Sequence, residues 1–177
     1  MRRRIMAKSD NFYLRAEVVC PADQSIVEEE IDLGSYVNLG PKSSTLLRIN
    51  AVDVAYQDAT GLIPAVDAGG AAFTNWVLAT QSSTTMTRLS DRSVVSSGAL
   101  QAYNATGGAG SPSSLSDQSD LNPRELVDGF DVAVDTLFLR GIADNAWNEA
   151  VYISIVMECQ QITATQANAT ALAISQT

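Results

Sequence analysis

Carboxylates are the side chains of this sequence best suited by type to chemistry. Asp53, Asp131 and Asp135 lie in or beside strand-like runs. Brought together, such groups form an acid/base pair or hold calcium through oxygen ligands, which would make the chain a hydrolase or a calcium-dependent domain. Their spacing matches no cation loop, and aspartates on the solvent face of half-buried strands are the commoner arrangement. The chain contains no histidine. That removes Ser-His-Asp and Cys-His nucleophilic sites, histidine metal centres and histidine general bases.

Cys20 and Cys159 have no basic neighbour in sequence, so nothing visible lowers a thiol pKa. Each ends a strand-like run. A disulfide would require those strands to be neighbours, whereas two buried free thiols suit a protein made in the cytoplasm. Gly107-Gly108-Ala109-Gly110 is no phosphate loop, since no strand precedes it and no Lys-Ser/Thr follows. Trp76, Trp147, Tyr103 and Tyr152 could stack on a carbohydrate, yet aromatics make up 6% of the chain and are scattered, which favours core or interface packing. Asn104-Ala105-Thr106 and Asn168-Ala169-Thr170 match the glycosylation triplet with no secretion signal ahead of them. The expectation is a protein that is not an enzyme, takes no cofactor and holds no metal.

Charge narrows the partners. The net charge of −9 hides an uneven spread, because Arg2, Arg3, Arg4 and Lys8 are four of the eleven basic residues. The rest of the chain sets seven basic against twenty acidic residues and would repel nucleic-acid phosphates. Only the basic tip, residues 1–10, could touch a polyanion; a solvated terminus is the equally ready reading. No run of about eighteen apolar residues predicts a transmembrane helix, and MRRRIMAKSD lacks the apolar stretch of a secretory signal.

The elements that must position these residues are strands. DVAVDTLFLRGI, ADNAW and NEAVYISIVMECQQIT, spanning 131–163, predict two strands joined by a short loop. Alternation puts Val132, Val134, Phe138 and Ile142 on one face of the first, and Val151, Ile153, Ile155, Met157 and Cys159 on one face of the second. NFYLRAEVV alternates Phe12, Leu14, Ala16 and Val18 against Tyr13, Arg15 and Glu17. SIVEEEIDL predicts an edge strand protected by its charge. In TLLRINAVDVAYQD, Leu47 and Ile49 share one parity and Val52, Val54 and Tyr56 the other, which predicts a bulge or burial on both faces. FTNWVLAT and TTMTRLS are further candidate strands, and 91–105 reads as a strand pair or a short helix opening at Ser90 or Asp91. Residues 57–72 and 107–120 read as long exposed loops. Asn122-Pro123 predicts a single helical turn. The tail from 164 to 177 is weakly helical, with Ala169, Leu172 and Ala173 at helical spacing; it packs on a neighbour or frays. The whole predicts an all-β antiparallel sandwich or barrel with at most short helical turns, its body running from 11 to 163.

A short Arg-rich start (MRRR), a β body with Ser/Gly/Ala-rich connections, a closing strand hairpin (DTLFLRGIADNAWNEAVYISIVMECQQIT) and an Ala-rich tail ending ATALAISQT together resemble the small single jelly-roll capsid proteins of tailless icosahedral viruses. The resemblance implies two four-stranded sheets packed face to face and self-assembly of many copies, with other capsid proteins as further partners. It places the protein in the virion after synthesis in the host cytoplasm. Arg2, Arg3, Arg4 and Lys8 would form an arm facing the genome or an inner membrane, and residues 57–72 and 104–121 would be inter-subunit or outward loops. The arm is short for such a protein, so little genome would be neutralised by it. The alternative is a β-sandwich binding module, a spike or adhesin domain recognising carbohydrate or protein through Trp76 or Trp147 on an exposed loop.

Overall fold

The computed structural model describes residues 9–40 and 43–177. Among these, nine strands form two antiparallel sheets. The first contains, in spatial order, β1 (Phe12–Cys20), β9 (Val151–Ala164), β3 (Ser44–Gln57) and β7 (Phe130–Val132). The second contains β2 (Ile26–Asp32), β8 (Thr136–Ala143), β4 (Ala71–Ala79), β5 (Val94–Tyr103) and β6 (Ser114–Leu121). With β6 set aside, the strands run first-eighth-third-sixth in one sheet and second-seventh-fourth-fifth in the other. That interleaving is the jelly roll, two Greek keys folded over each other. β6 is an added edge strand on the second sheet.

The core lies between the sheets and follows the period-2 rule. On β9, Val151, Ile153, Ile155, Met157 and Cys159 are all at most 1% exposed, each burial stabilising by about 1.5–3 kcal/mol for a large apolar side chain. β1 sends Val18 and Cys20 to the same core, with Phe12, Leu14 and Ala16 packed at its margin. The mixed parity of β3 is a bulge. Its pairing with β9 shifts between Ile49 and Ala51, so the one extra residue, Asn50, lets Leu47 and Ile49 on one side and Val52 on the other all point inward.

Several expectations are corrected. β8 and β9 do not form a hairpin: they belong to different sheets, and the 144–150 connection crosses between them. The parity read for β8 is also reversed. Leu137, Leu139, Gly141 and Ala143 face the core, while Phe138 and Ile142 are half-buried on the outer face. The chain leaves one sheet after Val132 and joins the other at Thr136, which resets the alternation. Gly141 is there because a Cβ would collide with Cys20 Sγ and come within 2.7 Å of Ile153 Cδ1. TTMTRLS is irregular, and 91–105 contributes one strand, β5, with neither a second strand nor a helix. Asp91 instead closes a tight turn, its Oδ1 accepting from Ser93 N at 2.9 Å. Residues 114–121, read as loop, are β6. Every residue from 114 to 120 is exposed, so no alternation of burial marks the strand, and pairing with β5 alone holds it.

The single turn at Pro123–Glu125 forms as expected, with Asn122 Oδ1 capping Arg124 N. The tail is more than a short turn: α1 runs Gln166–Gln176, capped by Thr165. Alone an eleven-residue helix is marginal in water. Here Ala169, Leu172 and Ala173 cover Leu46, Ala133 and Ile162, a small second core, and the buried Gln176 accepts from Ala133 N and donates to Asp131 O. No helix among the described residues is long and apolar enough to cross a membrane.

Candidate functional site

Arg140 is the least expected buried side chain, at 0% exposed. Alternation on β8 turns it to the outer face of the second sheet, where the 80–93 loop folds over it. Its guanidinium donates to Thr85 O at 3.0 Å, Thr87 Oγ1 at 2.7 Å and Gln81 O at 2.8 Å. Its Nε sits 3.0 Å from Glu28 Oε2, a charge contact without an aligned hydrogen bond. Burial draws the Arg140 pKa below its ordinary value, opposed by Glu28 and Asp91, and the group stays cationic because guanidinium does not deprotonate in proteins. Glu28 completes the clamp by accepting from Ser82 Oγ and from Ser83 N. One member of the acidic triplet on the β2 edge is thus a structural partner, not only a surface charge.

Above this clamp the loop encloses an open cleft of about 520 Å³. Its lining is polar, with Gln81, Ser83, Thr87, Arg88 and Asp91 among its walls. Hydroxyls predominate there. Ser82 is the lining hydroxyl that meets a carboxylate, and that carboxylate, Glu28, is already held against the Arg140 cation as part of the clamp.

The sequence-singled carboxylates are not brought together. Asp131 pairs with Arg48, Oδ1 at 2.6 Å from Nε and Oδ2 at 2.9 Å from Nη2, and this contact raises the Arg48 pKa. Asp53 takes Arg124 at 2.9 Å on the exposed surface. Among the described residues Asp135 accepts from its neighbour Thr136 and, through its carbonyl, from Leu33 N. Among the described residues no three acidic or cysteine side chains are grouped to hold a metal. The hydrolase and calcium readings lose their carriers.

The tryptophans are core residues. Trp76 is 3% exposed and Trp147 2%, and their indole N–H groups donate to Tyr56 Oη and Phe73 O, both at 2.9 Å. Neither is on a surface that could stack against a sugar. Tyr103 is exposed at the end of β5 and Tyr152 half-buried on β9. Asn104 is 0% exposed; its amide donates to Val66 O, Asp67 O and Gly108 O, and its Oδ1 accepts from Thr106 N. It ties the two long loops together and has no room for a glycan. Asn168 is exposed in the first turn of α1.

Cys20 and Cys159 are both buried free thiols. They lie at opposite ends of one strand pair, Cys20 beside Val151 and Cys159 beside Phe12, about 26 Å apart at the usual rise per residue. Burial pushes each thiol up to about 12. Arg2, Arg3, Arg4 and Lys8 lie outside the described residues. The described chain starts at Ser9, whose N donates to Gln161 O at 3.1 Å and whose Oγ accepts from Gln161 N at 2.9 Å.

No protein-family model matches the chain, and no curated protein matches it. Solved structures do. Merkel cell polyomavirus VP1, solved with disialyllactose, aligns at 8% identity over 86% of this chain and 96% of its own, with TM-score 0.43. Trichodysplasia spinulosa-associated polyomavirus VP1, solved with GM1 oligosaccharide, aligns at 9% identity over 85% and 94%, with TM-score 0.47. An unassembled KI polyomavirus VP1 pentamer aligns at 10% identity over 86% and 95%, with TM-score 0.42. The jelly roll assigned here stands on the strand order itself.

The surface adds what sequence reasoning missed. Exposed apolar side chains occur on separate parts of the perimeter: Leu62 at 67% on the 58–70 loop, Val127 at 99% beside β7, Ile174 at 69% on α1. Leu39, Leu89 and Tyr13 add three more positions on other elements. The sequence shows these residues as ordinary apolar positions; only the fold reveals that nothing among the described residues covers them.

Proposed function

We propose that this chain is the capsid subunit of a tailless icosahedral virus, a structural protein that self-assembles in many copies through its loops and termini. The carrying observation is the jelly-roll strand order, two Greek keys closed into two facing sheets with β6 added at one edge, an architecture that viral capsid domains use. On it the protein resides in the virion after synthesis in the host cytoplasm, alone or with other capsid proteins. Arg2, Arg3, Arg4 and Lys8 then form a short inward arm toward genome or membrane.

Particle size tests it. Purified full-length chain, followed by light scattering and negative-stain imaging across salt and pH, is expected to give closed shells or regular capsomers. A monomer under every condition would overturn the assembly reading in favour of a binding module.

A further inference from the structure

β6 is an unusual edge. It pairs with β5 from Ser97 opposite Leu121 to Tyr103 opposite Ser114, and its other side carries no strand among the described residues. Edges are normally kept short, charged or covered, because their free N–H and C=O groups invite another strand. The other edges here follow that rule. β2 carries Glu28, Glu29 and Glu30, β7 has three residues, and β1 places Arg15 and Glu17 along its length. β6 is eight residues long, exposed throughout Ser114–Asp120 and free of proline.

The edge also has a definite chemistry. Asp117 and Asp120 on β6, with Glu125 and Asp128 just beyond it, make no ion pair among the described residues, since Arg124 is taken by Asp53. Leu115 at 44%, Leu126 at 39% and Val127 at 99% expose apolar groups beside them. The chain contains one segment that complements both features. Residues 1–8 read Met-Arg-Arg-Arg-Ile-Met-Ala-Lys, four cations around Ile5 and Met6, and their eight positions equal the length of β6.

We propose that β6 is the docking edge for the N-terminal segment, residues 1–8, of a second copy of this chain, which adds to the five-stranded sheet as a sixth strand. Backbone pairing supplies the adhesion; the arginines against Asp117 and Asp120 set the partner. The copy must be a second one. Ser9 is fastened to β9 at Gln161, and the way to β6 crosses about 14 Å of sheet and about 10 Å between sheets. Eight extended residues reach about 28 Å at most, so too few would remain to run along β6. The contact is heterologous, head to tail, and so propagates from copy to copy until it closes a ring or shell. It rests on the assembly reading, names one of its contacts, and gives Arg2, Arg3 and Arg4 to Asp117 and Asp120 of the neighbouring copy in place of genome or membrane.

The test mixes two full-length variants that each carry one added cysteine, Ala7→Cys and Ser116→Cys, under mild oxidation; Cys20 and Cys159 are buried and do not compete. A disulfide-linked heterodimer on a non-reducing gel is expected. Adding Asp117→Lys and Asp120→Lys to the Ser116→Cys variant should cut its yield by about tenfold through like-charge repulsion. Arg2→Glu, Arg3→Glu and Arg4→Glu in the Ala7→Cys partner should restore it. Ser90→Cys, exposed on the 80–93 loop, is the control. If light scattering shows particles while the heterodimer is absent, or no stronger than with the control, the β6 contact is wrong and assembly stands. A chain that never associates and never cross-links overturns both.

Discussion

Glu28 and Arg140 are directly opposite residues of the β2–β8 pair, and the fully buried guanidinium rests 3.0 Å from the carboxylate. β2 is an edge strand, so this contact, with the loop carbonyls of Gln81 and Thr85, holds the 80–93 loop against the sheet. The loop in turn shields Arg140 from water.

Removing the cation should therefore be costly. Arg140→Ala strands Glu28 and the part-buried carbonyls of Gln81 and Thr85, and a loss of about 3–5 kcal/mol is expected for breaking a buried pair from one side. Arg88→Ala, on the exposed wall of the cleft, should stay within about 0.5 kcal/mol. Urea denaturation measures both. Equal, small losses would mean that the loop is not clamped by Arg140. A Glu28→Gln/Arg140→Met double variant should lose less than Arg140→Ala, because no lone charge is left buried.

The facing of β8 makes a second prediction. Leu139→Ala should destabilise by about 2–5 kcal/mol, the cost of a core cavity, and Phe138→Ala by clearly less, since Phe138 lies half-buried on the outer face. Gly141→Ala should cost about 1–3 kcal/mol by overpacking against Cys20 and Ile153. If Phe138→Ala proves the worse of the first two, the strand is turned the other way.

These positions also show where the sequence was legible. β1, β9 and the bulge of β3 were readable because each buries one clean face, and the mismatch in β3 parity was itself the signal of Asn50. β8 was misread because Val132 and Phe138 look continuous in sequence, while the chain changes sheet between them. Arg140 hid in the same place: a charge at an outer-face position reads as solvated until a loop covers it. β6 had no signal at all, since a strand with neither face buried obeys no hydrophobic period. The arginines of the tip were obvious in sequence, but the edge proposed for them could not be seen before the sheets were assembled.

The tail should behave as part of the body. Gln176 is buried, bonded to Ala133 N and Asp131 O, and its own carbonyl accepts from Thr80 Oγ1 at 2.8 Å. Gln176→Ala leaves those backbone groups unsatisfied and should cost about 1–3 kcal/mol, whereas Ile174→Ala, largely exposed, should be nearly neutral. Hydrogen exchange supplies a second check, with α1 amides protected alongside the sandwich. Free exchange across α1 would mean that the helix frays and that its small core is not formed.

Finally, the two thiols report on the closure of the sandwich. Burial raises both from the ordinary 9.0 up to about 12, so neither is a thiolate at neutral pH and neither should react with Ellman's reagent until urea opens the fold. The direction of the pH effect follows. A group whose folded pKa lies above its unfolded value stays protonated in the folded state while the unfolded chain ionises. The contribution of both cysteines is thus complete below pH 9 and falls away as pH rises from 9 toward 12. Replacing both with Ala should flatten the alkaline limb of a stability–pH curve, even though the cavities lower its plateau. An unchanged alkaline limb would show that the thiols titrate alike in both states, which would require water to reach Cys20 and Cys159 inside the folded sandwich.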